Sequence, residues 1–230
     1  MNTAILYGVG VGPGDPELLT LKAQRIIEHC PIIAAPQTRS GATLALDIVQ
    51  QAVNLKDKQI LYLPFAMTRD EQILKQSHEK AVEHLIAALQ AGDDVAMLNI
   101  GDVSLYATFN HIKTQVQNAG YRTVMIPGIP SFCAVAAILD ENLTPEMNTA
   151  VHIVPADAAE FDAMLSLDGT KIIMKAGKTL HDVKRALKKA NQYEKALLVQ
   201  NCGLPGEKIV RSLDDTEDEG SYFSTLLVTP

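Results

Sequence analysis

Gly8-Val9-Gly10-Val11-Gly12-Pro13-Gly14-Asp15-Pro16-Glu17-Leu18-Leu19-Thr20 follows an apolar run, Ile5–Val9, that reads as a first core strand. Glycines at a strand end let backbone approach a ligand closely. Asp15 before Pro16 suits a helix N-cap followed by the first helical position, with Glu17 well placed in the first turn. The spacing is not that of a GxGxxG dinucleotide site, because the sixth residue is Pro13 counted from Gly8 and Asp15 counted from Gly10. No GK[ST] follows, and carboxylates at the helix start would repel an anion, so a phosphate-binding P-loop does not fit. Without a ligand the segment is a rigid strand-to-helix turn.

Outward from this turn, short apolar runs alternate with amphipathic stretches, the pattern of α/β folds. The first part reads as five strands: Ile5–Val9, Ile32–Ala35, Ile60–Pro64, Val95–Ile100 and Thr123–Pro127. Helices between them make neighbouring strands parallel. One spans Asp70–Ala91, with Leu74, Val82, Leu85, Ile86 and Leu89 on one face and a capping box at Thr68 and Glu71. Leu105, Phe109, Ile112, Val116 and Ala119 predict another in the stretch after Asp102. Two further turns, Asn99–Tyr106 around Gly101-Asp102 and Ile126–Ser131 around Gly128, also leave strand ends, where ligands of open α/β sheets bind. The polar, proline-broken segment Asp140–Asn148 reads as a linker, dividing the chain into an N-terminal domain over 1–142 and a C-terminal one over 143–230. The second part reads as strands Val151–Val154, Lys171–Lys175, Ala196–Asn201, Lys208–Arg211 and Phe223–Val228, with helices near Ala158–Leu167 and Leu180–Asn191. The last strands are too closely spaced for helical crossovers, which predicts a mixed sheet. The acidic run Asp214–Gly220 reads as a solvated loop between two of them.

Composition narrows the function. A net charge of −7 argues against nucleic acid, whose phosphates call for a basic face. With 47% apolar residues but no apolar run of membrane-spanning length, the chain reads as soluble with no membrane partner. The start, Met1–Tyr7, has neither the basic region nor the cleavage site of a signal peptide, pointing to the cytoplasm. Cys30, Cys133 and Cys202 form no CxxC pair and the histidines no HxxxH or HExxH spacing, so no metal ligated by the chain is expected.

In order and together, the GxGPGDPxLLT opening, Gly101-Asp102 with Leu105-Tyr106, Pro127-Gly128-Ile129 and Lys171-Ile172-Ile173-Met174-Lys175 resemble the tetrapyrrole (corrin and porphyrin) methylase family over essentially the whole chain. Gly101–Thr108 and Tyr222–Val228 look most like its precorrin-2 C-20 branch, although Val103 stands where proline is common and Pro130-Ser131 where other branches have Thr-Ala. The resemblance implies a two-domain α/β tetrapyrrole methylase fold, with an N-terminal parallel five-stranded sheet, a C-terminal mixed sheet and a cofactor cleft between the domains. It implies methyl transfer from S-adenosylmethionine, leaving S-adenosylhomocysteine, to precorrin-2 or cobalt-precorrin-2, and a homodimer. The residues it places near the cofactor are Pro13, Ile100, Gly101, Asp102, Leu105, Pro130, Ser131, Met174 and Cys202. Asp15, Arg39, Tyr106 and Lys175 are expected on the side of the polycarboxylate tetrapyrrole, with Arg69 and Lys178 as further cations in reach. Asp15, Asp102, Tyr7 and Tyr106 qualify as a base by location alone, so no catalytic residue is assigned. The competing functions are methylation elsewhere on a corrin ring or on uroporphyrinogen III, and non-catalytic binding of a nucleoside.

Overall fold

Strand β1 (Ile5–Gly10) alternates half-buried and buried side chains before becoming wholly buried, as a central strand covered on both faces must. The computed structural model describes residues 4–38, 41–65 and 70–230. By contacts these divide into Met1–Pro130 and Ser131–Pro230.

In the first unit β2 (Ile32–Gln37), β3 (Gln59–Pro64), β4 (Val95–Asn99) and β5 (Arg122–Ile126) join β1 in a five-stranded sheet of order β3-β2-β4-β1-β5. All its pairings are parallel. Helices α1 (Leu21–His29), α2 (Leu44–Ala52), α3 (Glu71–Gln90) and α4 (Phe109–Asn118) are the crossovers. One face packs Leu6, Leu63, Leu85, Leu89, Met97, Ile112 and Val116 around Phe109. A β-carbon on Gly8 would lie 2.6 Å from the Phe109 ring, so the glycine is what lets that ring sit on the middle of β1. Full burial of Phe109 contributes about 1.5–3 kcal/mol.

Two helix starts differ from expectation. Asp15 does cap the next segment, its Oδ1 accepting from Glu17 N at 2.9 Å, but Pro16–Leu18 is a single 3-10 turn. The α-helix begins at Leu21, capped by Thr20 Oγ1 accepting from Ala23 N at 3.1 Å. The stretch after Asp102 likewise becomes α-helical only at Phe109, because Asp102 captures Ser104 N and Tyr106 takes a left-handed φ of 49°. For α3, Thr68 of the expected capping box and Arg69 lie outside the described residues; the described cap is Asp70, accepting from Gln72 N and Ile73 N at 2.9 and 3.2 Å.

The second unit begins with α5 (Ser131–Leu139), followed by β6 (Val151–Pro155), α6 (Phe161–Leu165), β7 (Thr170–Met174), α7 (Leu180–Lys189), β8 (Ala196–Gln200), β9 (Lys208–Val210) and β10 (Ser224–Val228). The sheet order is β6-β7-β10-β8-β9. Only β6 and β7 pair in parallel, while β10 runs antiparallel to β7 and β8, and β9 to β8. The pleat sorts the core: Ile173, Leu226 and Val228 pack with α6 and α7, whereas Ile172 and Leu227 pack with Val135 and Leu139 of α5. That packing puts α5 in this unit, so the division falls one helix earlier than the 142/143 boundary expected from the polar linker.

The acidic run is anchored rather than merely solvated. Lys184, only 9% exposed, donates to Thr216 O, Glu217 O and Asp218 Oδ1 at 2.8, 3.3 and 3.1 Å, and His181 meets Asp218 Oδ2 at 3.1 Å.

Candidate functional site

The carboxyl ends of β4, β1 and β5 are adjacent in the sheet, and each runs into a glycine turn. The first two turns exchange backbone hydrogen bonds: Gly101 N donates to Gly12 O at 2.7 Å and Gly12 N to Gly101 O at 3.3 Å, with Val11 N on Asn99 O at 2.9 Å. The third closes on both. A β-carbon on Gly128 would lie 2.3 Å from Gly101 O and 2.7 Å from Gly10 C, and one on Gly10 would lie 2.6 Å from Gly128 N. Three backbones thus meet at separations that admit no side chain.

Asp102 ties the junction. Its Oδ2 accepts from Gly128 N at 2.9 Å, across to the β5 turn, while Oδ1 accepts from Ser104 N at 2.8 Å and from the Ser104 hydroxyl. Burial pushes this carboxyl up, but the hydrogen bonds from the Ser104 hydroxyl, Ser104 N and Gly128 N outweigh it and hold it below its ordinary value. Ser104 and Gly128 were missing from the expected site residues. Their signal was the Asp-x-Ser spacing of an Asx turn and a glycine at the end of β5.

Around this junction lie Pro13, buried, and Ile100 and Leu105, half-buried. Tyr106 is 45% exposed on its rim. Pro130 closes the unit. Tyr7 points away from the role of a base here: its phenol is pushed up by burial and then by Asp94, and Asp94 binds Ile5 N at the opposite, amino end of the sheet. Gly101 has a left-handed φ of 72°, so any side chain in its place would strain the turn itself.

In the second unit, described by itself, Ser131 opens α5 and Met174 ends β7, half-buried against the α5-side cluster. Lys175 follows with a left-handed φ of 58°. Cys202, 7% exposed, belongs to the same cluster as Val135, Leu139 and Val199, and burial pushes its thiol up to about 11. It is a neutral packing group. Lys178 is exposed in the turn before α7. Arg39 lies outside the described residues.

The only formally charged groups in the segments 8–15, 99–106 and 126–130 are Asp15 and Asp102. Close-packed glycine backbone with carboxylates and no Lys or Arg suits a cationic nucleoside better than a phosphate, so these residues fit a sulfonium cofactor. Among the described residues no group of three or more His, Cys, Asp or Glu gathers as for a metal ion, and no helix is long and apolar enough to cross a membrane.

The fold, a parallel α/β unit followed by a mixed one, is that of solved tetrapyrrole methyltransferases. The X-ray structure of cobalt precorrin-4 methyltransferase, a cobalamin biosynthetic enzyme, shares it with a TM-score of 0.77 at 21% identity, over 98% of this chain and 94% of that one. So does uroporphyrin-III C-methyl transferase from Thermus thermophilus complexed with S-adenyl homocysteine, with a TM-score of 0.72 at 18% identity, over 98% and 97%. The chain belongs to the tetrapyrrole (corrin/porphyrin) methylase family, whose profile matches residues 5–215. It is 30% identical to cobalt-precorrin-2 C(20)-methyltransferase of Salmonella typhimurium, over 97% of this chain and 95% of that protein. It is 32% identical to the probable cobalt-precorrin-2 C(20)-methyltransferase of Methanocaldococcus jannaschii, over 97% and 94%. Precorrin-2 C(20)-methyltransferase of Sinorhizobium sp is 28% identical, over 97% and 94%.

Proposed function

We propose that this chain methylates precorrin-2 or cobalt-precorrin-2 at carbon 20, using S-adenosylmethionine, in the assembly of the corrin ring of cobalamin. The observation that carries the reading is the match of 97% of the chain to proteins named for that one ring position. The cofactor supplies a methyl group already activated on a sulfonium. What the chain adds is placement: Pro13, Ile100, Gly101, Asp102, Leu105 and Pro130 are the residues of the first unit assigned to hold it, and Ser131, Met174 and Cys202 those of the second. A well-held pair of reactants gains roughly 7–11 kcal/mol from proximity and orientation.

Asp102 acts in this reading as a positioning residue, since its oxygens are engaged by Ser104 and Gly128 and its negative charge faces the turns. A carboxyl held below its ordinary value is a poor proton acceptor near neutrality, and Asp15 is spent as a cap, so neither is assigned as a base. Asp15, Arg39, Tyr106 and Lys175 are assigned to the polycarboxylate substrate. The reading extends to a homodimer in the cytoplasm, checked by light scattering and cell fractionation.

The test is incubation of the purified protein with precorrin-2, with and without cobalt, and with S-adenosylmethionine carrying a 13C-methyl group. One labelled methyl at carbon 20, located by NMR, is the expected product. Label at another ring carbon, or on uroporphyrinogen III alone, replaces the substrate while keeping the cofactor. No calorimetric binding of S-adenosylmethionine or S-adenosylhomocysteine ends the methyltransferase reading.

A further inference from the structure

In the second unit, β7 and β8 both run out into a residue with left-handed backbone that is not glycine. Lys175, at φ 58°, follows Met174, and Asn201, at φ 52°, precedes Cys202. Such backbone strains a residue that has a β-carbon, less so for Asn, and it persists only where the surroundings hold it. Between the two strands lies β10, antiparallel to both, so the segment leading into it, Gly220–Phe223, arrives where they stop.

That segment is bound to both turns. Toward β7, Gly220 N donates to Gly177 O at 2.9 Å and Ala176 N to Ser224 O at 3.1 Å, and a β-carbon on Gly177 would overlap Ser221 O. Toward β8, Asn201 N donates to Phe223 O at 2.9 Å, and the Ser221 hydroxyl donates to Asn201 Oδ1 at 2.5 Å. The same hydroxyl oxygen accepts from Phe223 N at 3.2 Å. Ser221 thus packs on the β7 turn with its carbonyl and bonds the β8 turn with its side chain.

Asn201 carries the restraint onward. Its Nδ2 donates to Gly206 O at 3.2 Å and its carbonyl accepts from Leu204 N at 2.8 Å, while Gly203 N is held by Glu207 Oε2 at 2.7 Å. One amide side chain therefore reaches from the segment before β10 to the far end of the turn that carries Cys202. Met174 and Cys202 belong to one cluster on the α5 side of the sheet, so the two turns fix the edge of a shared surface. Neither Ser221 nor Asn201 has to touch a ligand for this to matter, since a shift of about 1 Å in a group that holds a reactant is enough to cost orders of magnitude in rate.

We propose that Ser221 and Asn201 are positioning residues for the cofactor, fixing the turns after β7 and β8 so that Met174 and Cys202 are held in place against it. The inference rests on the S-adenosylmethionine reading given above. Calorimetric titration of the full chain with S-adenosylhomocysteine tests it, together with methyl-transfer kinetics on precorrin-2. Ser221→Ala is expected to weaken binding by about tenfold, roughly 1.4 kcal/mol. The KM for S-adenosylmethionine is expected to rise by a similar factor while kcat and the KM for precorrin-2 stay within about twofold of wild type, the mark of binding lost equally from ground and transition states. Asn201→Gly removes both side-chain bonds yet suits the left-handed φ, so it keeps the fold and is expected to weaken binding at least as much. Because the two residues act through one bond, the double variant is expected to bind no more weakly than Asn201→Gly alone. Wild-type affinity in either single variant, losses that multiply in the double variant, or an equal rise in both KM values overturns the proposal and leaves the methyltransferase reading standing. Absence of S-adenosylhomocysteine binding by the wild-type protein overturns both.

Discussion

Replacing Asp102 with Asn keeps the shape of the side chain and removes its charge. The carboxylate accepts from Gly128 N on one oxygen and from Ser104 N and the Ser104 hydroxyl on the other. An amide has one acceptor oxygen, so its NH2 must face either Gly128 N–H or Ser104 N–H, donor against donor. The loss is one charge-assisted bond and one backbone donor left unpaired, about 1–3 kcal/mol in total. The sign with pH follows from the depressed carboxyl. A group whose folded pKa lies below its unfolded value stabilises fully above the unfolded pKa, and that contribution is lost as the pH falls through the folded value. Urea denaturation of wild type and Asp102→Asn is therefore expected to differ by about 2 kcal/mol at pH 7, with the gap narrowing once the pH drops below the ordinary carboxyl value of 3.8. Equal stability at pH 7, or a gap that persists unchanged well below that value, would refute the role of Asp102 as the tie between the turns.

Gly128→Ala sets a β-carbon 2.3 Å from Gly101 O, backbone that cannot swing aside. A loss of about 1–3 kcal/mol in denaturation together with weakened S-adenosylhomocysteine binding is expected, and wild-type behaviour in both would mean the turns are not in contact. Cys202, with its thiol pushed up to about 11, should resist alkylation at pH 8 in the folded protein while exposed Cys133 reacts. Peptide mapping showing equal labelling would contradict its burial. Lys184→Met removes the cation that gathers Thr216, Glu217 and Asp218, and proteolytic cleavage within that run should accelerate several-fold. An unchanged cleavage rate would mean the run is held by other contacts.

Much of the fold was legible because it rests on short-range patterning. The ten apolar runs became ten strands within a residue or two, and the close spacing of the last ones foretold antiparallel pairing. What escaped was decided by contacts distant in sequence. Leu105 keeps helical spacing with Phe109, yet Asp102 binds Ser104 N and delays the helix. The polar linker after α5 looked like a boundary, but Val135 and Leu139 pack on Ile172 and Leu227 of the second sheet. The candidate site was legible as three glycine turns. Its tie was not, because the bond from Gly128 N to Asp102 spans 26 residues and exists only once β1 lies between β4 and β5. Lys184 and the acidic run carried charge of opposite sign at distant positions, which no local pattern connects.

Crystallisation of the protein with S-adenosylhomocysteine bears most directly on the assignment. Density for the nucleoside is expected against the backbone of Gly101 and Asp102, beside Pro13 and Leu105. Density at any other place on the chain, with those turns bare, would contradict it.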